Sequence, residues 1–438
     1  MSEKRLYGRQ LVESELTLAE QDLALIKRPA LILTKLFLVC QRCGQKTRLK
    51  DCRLPNGKHY CPHCLRFGRL TEGDVLCSLK EPNAFLPVTC GLLPKLSLWQ
   101  EKCAQELVAA LRPANRHLLW AVTGAGKTEM LYPLIAKALK NKLRICLATP
   151  RIDVCNELYP RLSKVFPEVE SVLLYGASVQ KYQYTQIVLC TVHQLFRFYR
   201  AFDLLILDET DAYPFIDNIS LHYAVANACK QEATQIYLTA TPDQKLRKAI
   251  QTKKIGLTYL PLRFHEQPLP SLQINYIKDL SQKLQRKRPF KQLVLPLKRW
   301  SKNNEPFLIF VPKLALLAPV LQLVQTLVPT LNGTTVHASD PLRLDKVRLL
   351  RQEKYRYLVT TTILERGVTL PKLNVMVFYA ELFKETTLVQ IAGRVGRSKK
   401  HPTGDVILLC QKHAEVIKRA RWQIDHANKQ AKKMLRYG

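Results

Sequence analysis

The chain has 438 residues, enough for two or three domains with a core in each, and 47% of its residues are hydrophobic, which excludes a disordered chain. Lys and Arg total 68 against 35 Asp and Glu, a formal net charge of +33 with a pI near 9.8, which favours a polyanionic partner over a neutral one. The N-terminus MSEKRLYGRQLVESEL lacks an apolar leader core, and the most apolar early run, ALILTKLFLVC (30–40), is short and broken by Lys35, so neither a signal peptide nor a membrane span is expected. The 13 cysteines then read as buried thiols or metal ligands in a reducing cytoplasm.

The first block, 1–92, is dominated by CQRCGQKTRLKDCRLPNGKHYCPHC (40–64). Cys40-x2-Cys43 and Cys61-x2-Cys64 are separated by 17 residues. Two such pairs predict a tetrahedral four-thiolate Zn²⁺ site, in a module of about 36–72 that has little core of its own. A closed shell of four sulfurs leaves no open position, so the metal is expected to be structural. Cys52, His59 and His63 lie among the pairs, with Cys52 and His63 read as bystanders. Lys46, Arg48, Lys50 and Arg53 are either a nucleic-acid contact or a solvated basic loop.

From 93 to 262, strand-length apolar runs alternate with helical patterns: HLLWAV, RICLAT, QIVLCT, LLILDE and QIYLTA. That alternation predicts a parallel sheet covered on both faces. Before the first run, Gln100 in LSLWQEKC offers an amide suited to an adenine edge. After it comes WAVTGAGKTEM (120–130), a near match to the phosphate loop G-x-x-x-x-G-K-[ST], with Ala121 in place of the first glycine. The strand–loop–helix setting lets Thr123, Gly124, Ala125 and Gly126 cradle ATP phosphates with backbone amides. Lys127 would reach the β and γ phosphates, and the Thr128 hydroxyl would ligate Mg²⁺. Further on, LLILDETDAYPF (204–215) puts Asp208 and Glu209 at the end of a buried run, where an acidic pair is costly without a cation. Asp208 is expected to hold Mg²⁺ and Glu209 to orient the attacking water. In LFRFYRAF (195–202), Phe196, Phe198 and Tyr199 are candidates for base stacking, although such aromatics are more often core.

The segment 263–299 is rich in Pro, Lys and Arg and reads as a connector. From 300 to 438 the same alternation returns in PFLIFVP, YLVTTT, VMVFYA and DVILLC, with KLALLAPVLQLVQTLV (313–328) as a helix. VQIAGRVGRS (389–398) places Arg394 and Arg397 three apart, expected on one helical face, where they could stabilise charge on a transferring phosphoryl group. The chain closes on HAEVIKRARWQIDHANKQAKKMLRY, a predicted basic amphipathic helix.

The motifs AVTGAGKT, ATPR, TVHQL, DETD, TATP, TTTILERGVTLP and QIAGRVGR stand in the order of superfamily 2 helicase motifs, over about 95–410. The resemblance implies an α/β fold of two tandem RecA-like domains, parallel sheets flanked by helices, with ATP bound in the cleft between them. It also implies roles one residue at a time. Thr239 and Thr241 match the motif that couples nucleotide state to domain contact. Arg366 and Gly367 sit in the fifth motif, where Thr369 replaces a frequent Asp. Gln390, Arg394 and Arg397 match the sixth, with Arg397 as arginine finger. Thr149, Pro150, Arg151, Thr191 and Thr361 fall where relatives touch the nucleic-acid backbone. DETD in place of DEAD weakens an RNA-remodelling assignment.

A four-cysteine module directly before such a core, with DETDAYPF and ILERGVTLP, resembles the ComFA family of late competence ATPases. That resemblance covers the whole chain. It implies a cytoplasmic, helicase-like motor acting on single-stranded DNA during natural transformation. ComFC and the membrane DNA-uptake channel are the implied partners, with peripheral docking at the inner face of the cell membrane. Two other readings stay open: a PriA-like restart helicase, against which the position of the zinc pairs argues, and a non-catalytic basic DNA-binding scaffold.

Overall fold

A computed structural model describes residues 3–86, 88, 93–176, 182–365, 370 and 372–437. The chain divides into two compact units. The first comprises Met1–Trp120 with Lys127–Tyr259, and the second comprises Leu260–Gly438 together with the loop Ala121–Gly126.

The first unit is built on a seven-stranded sheet. Its strands and helices run β1 (Arg116–Ala121), β2 (Ile145–Thr149), β3 (Ser171–Leu174), β4 (Ile187–Thr191), β5 (Phe202–Leu207), β6 (Cys229–Thr239) and β7 (Gly256–Leu260), with α1 (Leu98–Ala109) before β1 and α2 (Lys127–Lys140), α3 (Ile152–Val165) and α4 (Ile219–Ala228) between the strands. The spatial order is β7-β1-β6-β5-β2-β4-β3. The strands from β1 through β3 in that order pair in parallel. Every residue of β2 and β4 is buried, as expected of parallel strands with both faces covered.

The N-terminal residues pack onto this unit. Two small antiparallel sheets, Leu11–Val12/Val75–Ser78/Ile26–Pro29 and Leu31–Leu33/Phe37–Cys40/Lys46–Arg48, hold the four-cysteine segment. Leu31, Leu38, Leu76 and the four paired cysteines form one continuous core with Phe196, Phe198, Phe202 and Leu205. The docking is specific. Gly44, at φ +70°, lies so near the Tyr223 ring of α4 that a Cβ there would sit 2.5 Å from it. The Tyr223 hydroxyl donates to the Gln41 carbonyl at 3.1 Å, and the Gln45 amide donates to Ser220 Oγ at 2.6 Å. Further along, Gln10 Nε2 donates to the Phe196 carbonyl, and the fully buried Arg144 donates to the Tyr7 and Thr185 carbonyls and to the Tyr182 hydroxyl. Phe196 and Phe198 are core residues, so the base-stacking expectation does not hold for them.

The second unit carries a six-stranded sheet, all of whose neighbouring pairs are parallel. Its elements are β8 (Gln273–Tyr276), α5 (Lys291–Lys302), β9 (Phe307–Phe310), α6 (Leu317–Leu327), β10 (Gly333–Val336), β11 (Tyr357–Thr360), β12 (Asn374–Phe378), α7 (Glu385–Ala392), β13 (Val406–Cys410) and α8 (Glu415–Tyr437). The order is β8-β13-β12-β9-β11-β10. The segment 263–299, expected as a connector, contributes β8 and much of α5, and its Leu293 and Leu297 sit with Trp300 in the core of this unit. The basic composition had hidden a buried stripe at spacings of four and three. The C-terminal helix forms as expected, burying Ile417, Ala420, Ile424 and Ala427. Each unit is a parallel sheet flanked by helices, the RecA-like arrangement.

Candidate nucleotide site and metal centre

The four sulfurs of Cys40, Cys43, Cys61 and Cys64 all lie within 4.8 Å of one another and are buried. The separations are 3.8 Å for Cys40–Cys64 and 3.6 Å for both Cys43–Cys61 and Cys61–Cys64. Zinc bonded to four sulfurs at about 2.3 Å needs tetrahedron edges of about 3.8 Å, so the donor set fits that ion in kind and in size. Sulfur contacts with Cys40, Cys43 and Cys61, helped by the Arg42 charge, hold the Cys64 thiol far below its ordinary value. Arg42 Nη2 donates to Cys64 Sγ at 3.2 Å, the outer support a metal-bound thiolate uses. The neighbours stand apart. Cys52 donates to the Arg48 carbonyl, His59 pairs with Glu72, and His63 meets Thr47. Lys46, Arg48, Lys50 and Arg53 are all exposed.

In the first unit, one edge of the sheet collects most of the predicted residues. β1 leads into the glycine loop, and α2 starts at Lys127, with Thr128 next. Thr149 ends β2 and Thr191 ends β4, and the two are register partners. Pro150 follows, and Arg151 is the N-cap of α3. Asp208 leaves β5 with its amide donating to the Ala148 carbonyl at 2.9 Å, and its Oδ1 accepts from the Glu209 amide at 2.8 Å. Glu209 has φ +54°, a left-handed conformation that a glutamate adopts only where its surroundings impose it. All these residues lie at the carboxyl ends of parallel strands, where open α/β sheets bind ligands.

Thr239 ends β6, Thr241 lies two residues beyond it, and both are fully buried. Both donate to the carboxylate of Asp211, at 2.8 and 2.5 Å. Asp211 is thus part of the arrangement, although the sequence reading left it unassigned. Its signal was the fourth letter of DETD paired with two hydroxyls two residues apart. Gln100 is buried in α1, where Ser97 and Gln100 form a capping box: the Ser97 amide donates to Gln100 Oε1 at 2.9 Å.

The loop Ala121–Gly126 packs within the second unit. The Val122 amide donates to the Leu260 carbonyl, and the Phe264 amide donates to the Gly124 carbonyl. Gly124 and Gly126 both take positive φ, near +80°. A Cβ on Gly393 would sit 1.7 Å from Thr123 Oγ1, so glycine at 393 is a steric necessity. Gln390 is buried in α7. The expected helical face for Arg394 and Arg397 is overturned: α7 ends at Ala392, with Gly393 as its C-cap and Gly396 at φ +66°. In the resulting turn Arg394 is buried and donates to the Glu365 carbonyl, while Arg397 is half-buried and donates to the Gly393 carbonyl. Thr361 directly follows β11. Arg366, Gly367 and Thr369 lie outside the described residues.

Arg263 is the second residue that sequence reasoning missed. It is 1% exposed and sits beside Gly124, where a Cβ would come 3.1 Å from its Nε. Burial, with the Arg397 charge nearby, pushes its guanidinium down to about 10. A lone arginine in a basic stretch carries no motif signal.

Comparison with known proteins agrees with this organisation. Residues 93–244 match the family model "Type III restriction enzyme, res subunit", and 286–399 match "Helicase conserved C-terminal domain". The chain is 38% identical to competence protein ComFA of Streptococcus pneumoniae, over 97% of this chain and 98% of that one. It is 35% identical to competence protein ComFA of Bacillus subtilis, over 99% and 96%. Among solved structures, Saccharomyces cerevisiae Dbp5 bound to RNA and ADP BeF3 superposes with a TM-score of 0.59 at 17% identity, covering 78% of this chain and 94% of Dbp5. That likeness shows the fold. Among the described residues, no helix is long and apolar enough to cross a membrane.

Proposed function

Because this chain belongs to the ComFA family of competence proteins, superfamily 2 helicase-like ATPases, we propose that it is a DNA-dependent ATPase that moves along single-stranded DNA during DNA uptake. The observation that carries this reading is the single sheet edge that gathers Lys127, Asp208 and Glu209 beside Thr149 and Thr191. A phosphate-reactive set and a row of backbone-contacting hydroxyls on one edge can exchange strain through the strands they share.

In this reading, amides of Thr123–Gly126 and the Lys127 ammonium bind the ATP phosphates. Thr128 and Asp208 would hold Mg²⁺, which supplies charge neutralisation at the phosphoryl group. Glu209 orients the water that attacks the γ phosphorus. Gln390, Arg394 and Arg397 act on the charge that develops there. Gln100 reads the base from its place in the capping box. Thr149, Pro150, Arg151, Thr191 and Thr361 hold the DNA backbone, and the Thr239–Asp211–Thr241 contacts, with Arg366 and Gly367, relay nucleotide state. A ligand shifts a conformational equilibrium only by its differential affinity, so ATP and its products must favour different grips on DNA for the strand to advance. The charge of +33 supplies salt-sensitive phosphate binding. Zinc held by the four cysteines is structural. ComFC and the membrane uptake channel are the partners this reading implies, at the cytoplasmic face.

The test is ATP hydrolysis by the purified protein alone and with single-stranded DNA, duplex DNA or RNA. Stimulation by single-stranded DNA above the others supports the proposal. Equal stimulation by RNA, or none by any nucleic acid, rejects the assigned substrate.

A further inference from the structure

Arg263 lies outside every motif, yet its surroundings are those of a ligand-binding group. Its side chain is 1% exposed, and among the described residues it has no carboxylate partner. Nη2 donates to the Val395 carbonyl at 2.6 Å and Nη1 makes a long contact of 3.4 Å with the Pro268 carbonyl. Among the described residues its Nε–H has no acceptor. A buried guanidinium with an idle donor and no counter-charge is expensive unless an anion completes it.

The place of that idle donor identifies the anion. Nε lies 3.1 Å from where a Cβ on Gly124 would stand, at the middle of the phosphate loop. Gly124, at φ +80°, has no side chain to block the approach. The hydroxyl of the preceding residue, Thr123, is also buried and, among the described residues, without a partner. The Phe264 amide donates to the Gly124 carbonyl at 3.0 Å, which fixes residues 263–264 against the loop. Two unsatisfied donors therefore flank one glycine of the loop that takes phosphate.

We propose that Arg263 is a further nucleotide-binding residue, whose Nε–H, together with the Thr123 hydroxyl, takes a polyphosphate oxygen of the bound nucleoside triphosphate. The inference rests on the reading of 121–128 as an ATP site. It gives the segment after β7 a direct role in sensing the nucleotide. Because the same guanidinium holds the Val395 carbonyl, between Arg394 and Gly396, phosphate binding at Arg263 reports to the turn that carries the candidate arginine finger.

The experiment titrates the full-length protein with a fluorescent N-methylanthraniloyl ATP and with the matching ADP, for wild type, Arg263→Ala, Arg263→Gln and Arg263→Lys. Melting temperatures without nucleotide are measured alongside. Arg263→Ala and Arg263→Gln are expected to weaken triphosphate binding about 10- to 100-fold, the loss typical of a charge-assisted hydrogen bond. Their melting temperatures without nucleotide should stay level or rise, because an uncompensated buried charge has gone. Arg263→Lys should recover part of the affinity. Wild-type affinity in Arg263→Ala overturns the inference. So does a weakened affinity matched by lower melting temperatures without nucleotide in both neutral variants, the mark of a purely structural arginine. Failure of the wild type to bind either nucleotide instead removes the underlying ATP reading.

Discussion

Thr239 and Asp211 are joined by a buried hydrogen bond of 2.8 Å, from the threonine hydroxyl at the end of β6 to the carboxylate three residues beyond Asp208. Thr241 donates to the other carboxylate oxygen, and its amide donates to Thr239 Oγ1 at 2.9 Å. Asp211 thus ties the strand end that carries TATP to the strand end that carries the acidic pair. In the proposed function, these buried bonds would carry a shift at Asp208 on nucleotide binding to Thr241.

Asp211→Ala should therefore act twice. It leaves two buried hydroxyls without their acceptor, at a cost of about 3 kcal/mol, read by denaturant unfolding. It should also reduce the stimulation of ATP turnover by single-stranded DNA more than the basal turnover. Equal loss of both rates would reject a relay role.

Lys127→Ala should abolish ATP turnover while the far-UV circular dichroism stays that of the wild type. Lys127 is the first residue of a 14-residue helix, where alanine is an excellent helix former. Normal turnover in this variant would remove the phosphate-loop assignment.

Cys61→Ser should lower zinc content, measured by inductively coupled plasma mass spectrometry, and lower the melting temperature of the whole first unit. The second effect follows from the continuous core shared by the cysteines and Phe196, Phe198 and Phe202. Cys52→Ser should leave the zinc content unchanged, since Cys52 is bonded to the Arg48 carbonyl and stands outside the four-sulfur cluster.

The N-terminal segment should carry an acid-sensitive contribution to stability. The Arg5 guanidinium, with bonds of 2.5 Å to each oxygen, and the Thr17 amide hold the Glu20 carboxyl down to about 2 from 4.5. A depressed carboxyl stabilises fully above its unfolded value and loses that contribution as pH falls through its folded value. The stability gap between wild type and Glu20→Gln should be constant above about pH 4.5 and should close as pH approaches 2. A gap that widens towards acid would contradict the pairing.

The interior of both sheets was legible in the sequence because fully buried parallel strands read as unbroken apolar runs: RICLAT and QIVLCT became β2 and β4. The strands that went unread are β3, β7, β8 and β10, the four outer strands of the two sheets. An edge strand is covered less, so GLTYL, QINY and GTTV show mixed burial and no apolar run. The paired cysteines and the phosphate loop were legible because their chemistry demands fixed spacing. Arg263 was not, since its meaning comes from Gly124 and Val395, each more than 100 residues away in the chain, and no local pattern encodes that meeting. The turn carrying Arg394 and Arg397 was misread as helix because spacing alone ignores what Gly393 and Gly396 do to the backbone.

The bond from Gln10 to the Phe196 carbonyl spans 186 residues, and the Tyr223 contact with Gln41 spans 182. During synthesis the N-terminal segment therefore leaves the ribosome long before the surface it covers exists. At about 5–20 residues per second, that interval is roughly 10–40 s. The four cysteines close their own loops within 25 residues, so a metal ion can order this segment while it waits. Zinc bound there would serve the nascent chain as a holding clamp, keeping the apolar side chains around Leu38 and Leu70 gathered until β4, β5 and α4 arrive to cover them.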